Sequence, residues 1–163
     1  MIAQIKGEYF LINGLQTGIE VKNFKCRCCG KVDVEENLIK AIIKFQNELG
    51  KPIRVSNCVR CVKHNAEIGG SKKSAHLPPA YGFDFDCPDL NIDEVAMTAI
   101  EIFTGFGIYY SKATKKVYYH ADIRPVKTYW YNVDKYVYSN DIERIIDDFK
   151  LSVEIKTLKE KKA

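Results

Sequence analysis

Histidine is scarce in this chain, with three in 163 residues: His64, His76 and His120. No stretch approaches the roughly 18 apolar residues that a membrane-spanning helix needs, so a membrane span is not expected. The opening residues, Met1-Ile2-Ala3-Gln4-Ile5-Lys6-Gly7-Glu8, lack the basic start and apolar run of a secretory signal. A chain that is cytoplasmic as synthesised is the expectation. Repeats and Gly/Ser-rich linkers are also missing, which argues against a solenoid or a tethered pair of domains. Neither charge sign dominates. The formal net charge is +4, and part of it lies in the terminal run Lys156-Thr157-Leu158-Lys159-Glu160-Lys161-Lys162. A short basic tail of this kind is ordinarily solvated and supports no nucleic-acid function.

What remains is the composition of an ordinary globular protein, long enough for one domain with a real core. The pattern divides into an N-terminal arm (1–23), a core region (24–125) and a C-terminal extension with the basic tail (126–163). In the arm, Asn13-Gly14 between two apolar runs predicts a hairpin. Val34, Leu38, Ile39, Ile42, Ile43 and Phe45 recur at helical spacing before the stop Gly50-Lys51-Pro52. Ile53-Arg54-Val55 reads as a strand, and residues 62–68 as a short helix ending at Gly69-Gly70. Residues 81–87 alternate as a strand with Asp84 and Asp86 on one face. Asn91 caps a helix over 92–103, and a hairpin follows over 108–123. The aromatic Tyr129-Trp130-Tyr131 and a helix over 141–151 complete the chain. Runs of strands and helices without strict alternation predict the α+β class, a small antiparallel sheet packed with helices.

Two features carry chemistry. His76 precedes Phe83-Asp84-Phe85-Asp86 of the expected strand, and His120 is followed by Ala121-Asp122. Imidazole nitrogen and carboxylate oxygen are zinc ligands, and a catalytic site needs three protein ligands with one position left open. If the strand of Asp84 pairs near the later hairpin, His76, Asp84 and His120 converge. Taken singly, each histidine reads more simply as a hydrogen-bonded or surface residue. The second feature is six cysteines, grouped as Cys26-Arg27-Cys28-Cys29 and Cys58-Val59-Arg60-Cys61, with Cys87 apart. Without an export signal they read as reduced thiols or metal ligands, and the two groups could form a tetrathiolate zinc site.

In order along the chain stand Gly50-Lys51-Pro52-Ile53, Val55-Ser56-Asn57-Cys58-Val59-Arg60-Cys61, His64-Asn65, Gly69-Gly70, Ser74-Ala75-His76, Ala80-Tyr81-Gly82-Phe83-Asp84, Gly107-Ile108-Tyr109-Tyr110 and His120-Ala121-Asp122-Ile123-Arg124. Over about residues 24 to 125 this series resembles the zinc D-alanyl-D-alanine carboxypeptidase-like peptidases, particularly short bacterial and phage members with the hedgehog/DD-peptidase fold. The resemblance implies that fold, zinc as cofactor, peptidoglycan stem peptides as substrate, and carboxypeptidase or endopeptidase activity. It implies His76, Asp84 and His120 as zinc ligands and Arg60 as the group that binds or polarises the substrate. A planar guanidinium suits that task, while a surface ion pair is its plainer reading. Ser74 orients a ligand or caps its loop, and His64 is structural. Asp122 is either the general base or a carboxylate that orients an imidazole.

Three departures from the family pattern bear on this. The spacing from His76 to Asp84 is one residue longer than usual, with Pro78-Pro79 as the site of insertion, so Asp86 stays a rival ligand. Asn57-Cys58-Val59 replaces the usual Ser-Gly-Tyr before the arginine. Val117 stands where many members carry an acid three positions before the last histidine. Two further functions therefore compete: a noncatalytic cell-wall-binding or virion module that keeps the fold, and a zinc-ribbon-like interaction protein built on the cysteines. Delivery to the wall would use a phage lysis system or another route independent of the general secretory signal.

Overall fold

A computed structural model of the protein describes residues 1–161, so Lys162 of the basic run lies outside the described residues. The N-terminal hairpin forms with an added strand. Strands β1 (Gln4–Lys6), β2 (Tyr9–Ile12) and β3 (Leu15–Glu20) make a three-stranded antiparallel sheet. Its tight turn places Asn13 and Gly14 at φ 53° and 77°, the left-handed pair that a type I′ turn demands. A 3-10 turn over Val21–Phe24 then drops Phe24 into the core, edge-on to Phe10 at 5.0 Å.

Helix α1 (Glu36–Leu49) buries Leu38, Ile39, Ile42, Phe45 and Leu49 along one stripe, and Gly50 ends it in the left-handed region at φ 63°. Strand β4 (Arg54–Asn57) and short helix α2 (Val62–Glu67) follow, then β5 (Gly82–Asp86) and α3 (Ile92–Ile100), whose Asn91 accepts the Glu94 amide as a cap. The expected hairpin is β6 (Gly105–Ser111) and β7 (Lys116–Asp122). The aromatic segment is β8 (Thr128–Asn132), and the alternating Tyr136-Val137-Tyr138 adds β9 (Tyr136–Ser139). Helix α4 (Ile142–Glu160) runs well past the predicted end at Leu151. Partly buried Val153 continues its packed face, while ion pairs Lys156–Asp134 and Lys115–Glu160 tether the last turns. The described part of the basic run is therefore mostly helical.

Six strands form the main sheet in the order β4-β5-β7-β6-β8-β9. The α+β expectation holds, with one difference in pairing: β8 lies parallel to β6. The cause is local. Strand β7 ends beside the start of β6, the Thr128 amide bonds the Thr104 carbonyl at 2.8 Å, and a strand departing from there must run with β6.

Because side chains alternate along a strand, the sheet has two distinct faces. Phe83, Phe85, Phe106, Ile108, Tyr119, Ala121, Tyr129 and Tyr131 belong to the hydrophobic core. Phe45 of α1 sits edge-on to Phe85 at 5.5 Å and to Phe103 at 5.3 Å, locking helix to sheet. The intervening residues, among them Asp84, His120, Tyr109, Trp130 and Tyr138, line a cleft on the other face.

Phe45 is fully buried, so Phe45→Ala leaves an aromatic-sized void between helix and sheet. We expect it to lower the unfolding free energy by about 3–5 kcal/mol, read from urea denaturation with an unchanged m value.

Candidate metal centre

One row of cross-strand neighbours spans the sheet. Asn57 of β4 pairs with Asp84, Asp84 with His120, His120 with Gly107, Gly107 with Trp130, and Trp130 with Tyr138. Directly opposed side chains on an antiparallel pair stand about 5 Å apart at Cβ, which brings the Asp84 carboxylate to the His120 ring. His76 arrives from the loop before β5. Its amide bonds Ser74 Oγ at 3.3 Å, and its carbonyl accepts the Arg60 amide at 2.8 Å. The Ala75 carbonyl accepts the amides of Tyr81 and Gly82 at 3.0 and 3.2 Å. Ser74 thus acts through the backbone that aims His76.

The partners of each ring fix its tautomer. His76 Nδ1–H donates to the Cys58 carbonyl at 2.7 Å, leaving Nε2 bare. His120 Nε2–H donates to Asp122 at 3.0 Å, leaving Nδ1 facing Asp84. His76 Nε2, His120 Nδ1 and Asp84 Oδ1 then form a triangle with edges of 3.2, 2.8 and 3.3 Å. Three lone-pair atoms at these separations repel unless a cation lies among them. A proton on His120 satisfies one edge, and a metal ion satisfies all three. Donors around a tetrahedral zinc at 2.0–2.1 Å stand about 3.3 Å apart, so the triangle fits such an ion. The carbonyl and carboxylate behind the two rings are the partners that metal-bound histidines ordinarily have.

Electrostatics reflects the crowding. Burial pushes the His76 pKa down, the attraction of Asp84 offsetting it only in part. Burial also opposes charge on His120, but hydrogen bonds to Asp122 and Asp84 outweigh it and raise its pKa to about 9. Burial would raise Asp84, yet the two histidines hold it well below the usual carboxylate range. Asp122 is fully buried and likewise held down, because Arg124 and His120 outweigh its desolvation. Arg124 Nε bonds both its oxygens, at 2.8 and 3.0 Å.

The rival Asp86 is engaged elsewhere, bonded by Arg54 Nε and Nη2 at 2.7 and 2.9 Å. Asn57, at the start of the segment that departs from the family pattern, donates to Asp84 Oδ2 at 2.9 Å and leaves Oδ1 to the histidines. His64 does not line the cleft. Its neighbour Asn65 donates to the Ser71 carbonyl at 2.9 Å and folds the Gly69-Gly70 corner, where a Cβ on Gly70 would stand 2.3 Å from Asn65 Oδ1.

Comparison with protein families matches the Peptidase M15 model over residues 11–118. The chain belongs to the peptidase M15 family. That membership makes it a hydrolase of a zinc metallopeptidase family acting on cell-wall peptides. No curated protein matches the chain. The matched span contains Arg60, His76 and Asp84 and stops two residues before His120. The β5–β7 register brings that last histidine to the same point.

The candidate site lies in a cleft of about 670 Å³. Its walls include Arg60, Lys73 and Arg124 together with Tyr109, Tyr118, Trp130, Tyr136 and Tyr138. Sequence reasoning missed the aromatics of β8 and β9 as site residues. The signal was their alternation, which places Trp130, Tyr136 and Tyr138 on the face opposite the core. Trp130 Nε1 donates to Tyr109 Oη at 2.7 Å, and the Arg124 guanidinium lies 4.8 Å over the indole. Arg60 is part-buried, and its Nε has no hydrogen-bond partner among the described residues. Burial pushes its pKa down.

Room for the site comes from glycines on the flanking strands. A Cβ on Gly105 would stand 2.1 Å from Asp122 Oδ1, and one on Gly82 would meet the Asp122 Cβ at 2.8 Å. Gly107 lies under Trp130 in the same way, at 2.3 Å from Nε1. We expect Gly105→Ala to displace Asp122 and weaken zinc binding about 10–100-fold, the range for a lost orienting partner. Chelator-competition titration measures the affinity, and circular dichroism checks that the fold is kept.

Proposed function

We propose that this M15 peptidase holds one zinc ion between His76 Nε2, Asp84 Oδ1 and His120 Nδ1 and hydrolyses a peptide bond of peptidoglycan stem peptides, as a D-alanyl-D-alanine carboxypeptidase or an endopeptidase. The observation that carries this reading is the convergence of two imidazole nitrogens and a carboxylate oxygen in a cationic, aromatic cleft. Bound there, zinc supplies a Lewis acid that polarises a carbonyl and brings the pKa of a water to about 7.

The residues around the triangle have separable tasks. Asp122 keeps the proton on His120 Nε2 and so keeps Nδ1 bare. Its full burial and its bonds to Arg124 suit it to orientation rather than to proton transfer with the cleft. Asn57 fixes Asp84 in the same sense. Arg60 lines the cleft, and its planar guanidinium suits the acyl oxygen or the terminal carboxylate of a peptide. Lys73 adds a second positive charge on the wall, which favours the carboxylate-bearing stem. The tyrosines give flat, amphipathic contact area for a short peptide. Release by a phage lysis system or a comparable route would bring the chain to its substrate.

One observation favours a second reading. Among the described residues lining the cleft, Asp84 is the sole carboxylate, and Val117 stands where an acid base would be expected. A noncatalytic module that binds cell wall through the same cleft accounts for that.

Turnover separates the two. Under the enzymatic reading, muropeptide cleavage is lost on chelation, returns with zinc, and is absent in His120→Ala. Arg60→Ala should lower kcat/KM about 10²–10³-fold, the usual effect of removing a donor to a developing oxyanion, with zinc content unchanged. A zinc-loaded protein that binds peptidoglycan yet releases no product above the His120→Ala level is the binding module instead.

A further inference from the structure

The fold gathers cysteines at a second place, separate from the triangle of His76, Asp84 and His120. The sulfurs of Cys26, Cys29 and Cys61 lie within 4.8 Å of one another, and Cys28 Sγ stands 3.8 Å from Cys61 Sγ. The grouping differs from the two clusters apparent in the sequence. Cys58 leaves its Cys-x-x-Cys partner and turns into the core, its thiol against the Gly82 carbonyl at 3.5 Å.

Cys26-Arg27-Cys28-Cys29-Gly30 closes on itself as a tight loop. The Gly30 amide bonds the Cys26 carbonyl at 2.8 Å, the Cys26 amide bonds the Lys31 carbonyl at 2.9 Å, and Gly30 takes φ 72°. Cys61 approaches as the cap of α2, where its sulfur accepts the His64 amide at 3.4 Å. Its own amide donates to Cys26 Sγ at 3.3 Å. The amide aimed at Cys26 Sγ favours thiolate over thiol at that residue.

We propose that Cys26, Cys28, Cys29 and Cys61 form a second, structural zinc site, a closed tetrathiolate independent of the histidine triangle. Sulfurs around a tetrahedral zinc at 2.3 Å stand about 3.8 Å apart, the separation found between Cys28 and Cys61. A disulfide uses only two sulfurs and would leave the other two crowded against it. Zinc suits four soft thiolates better than hard oxygen-seeking cations do. Its structural effect is to tie the segment after the N-terminal sheet to the residue that follows Arg60, so the substrate-facing arginine is held from both sides: by Cys61, and by its own amide on the His76 carbonyl at 2.8 Å.

The test uses the full chain purified under reducing conditions, with zinc counted by elemental analysis. The wild type should carry two equivalents. The double variant His76→Ala/His120→Ala should keep one, and Cys29→Ser/Cys61→Ser should lose one. Cobalt(II) loaded into the histidine double variant should show intense thiolate-to-cobalt charge-transfer absorption, a readout that needs neither turnover nor the first site. That cobalt readout also decides the matter if the cysteine variant does not fold. A histidine double variant that takes up no metal and shows no thiolate band overturns the proposal. A missing histidine-site equivalent with the thiolate band intact counts against the catalytic metal alone.

Discussion

The β5–β7 register is the constraint on which the site depends. It sets Asp84 directly opposite His120 and Gly82 directly opposite Asp122. A slip of one residue would carry His120 and Asp122 to the helical side and bring Tyr119 and Ala121 into the cleft. The apolar face enforces the register: Phe83, Phe85, Tyr119 and Ala121 are buried against the helices and cannot be exchanged for charged neighbours without losing the core. The geometry of the candidate site is thus specified by hydrophobic residues on the opposite face of the sheet.

The same arrangement explains why so much polarity can be buried. An unpaired charge in a protein interior is costly unless its hydrogen bonds and countercharge come with it. Here Asp122 is neutralised by Arg124 and hydrogen-bonded by His120, and Asn57 supports the far oxygen of Asp84. What remains is the near oxygen of Asp84 facing one nitrogen of each imidazole, three atoms placed to share a cation. The site is complete in every direction except the one that a cation would fill.

Period-two alternation and helical spacing made most elements legible in the sequence, including the main helices, the β6–β7 hairpin and the side-by-side emergence of His120 and Asp122. Alternation also explains where that reading stops. Asp84 and Asp86 share a strand face, so periodicity cannot choose between them. The choice lies in which cross-strand partner each one meets, His120 or Arg54. Asn57 shows the same limit: its residue type gives no hint that it will support a carboxylate on the next strand. The parallel course of β8 depends on where the chain leaves β7, a tertiary fact with no local signature. The cysteines were legible as two clusters able to meet, and they do so except for Cys58, whose thiol turns into the core.

One short segment, residues 57–61, joins nearly everything that matters. Asn57 holds Asp84 through its side chain, Cys58 holds His76 through its carbonyl, Val59 anchors in the core, the Arg60 amide returns to the His76 loop, and Cys61 reaches the cysteine cluster. The backbone supplies two of these links, so side-chain identity can vary at some positions without cost to the site. Cys58 is the clearest case. Its carbonyl fixes the His76 tautomer, while its thiol only fills space beside Gly82. The departure from the family pattern in this stretch therefore falls where the backbone carries the task, and Asn57 adds a support for Asp84 that a serine would be too short to reproduce.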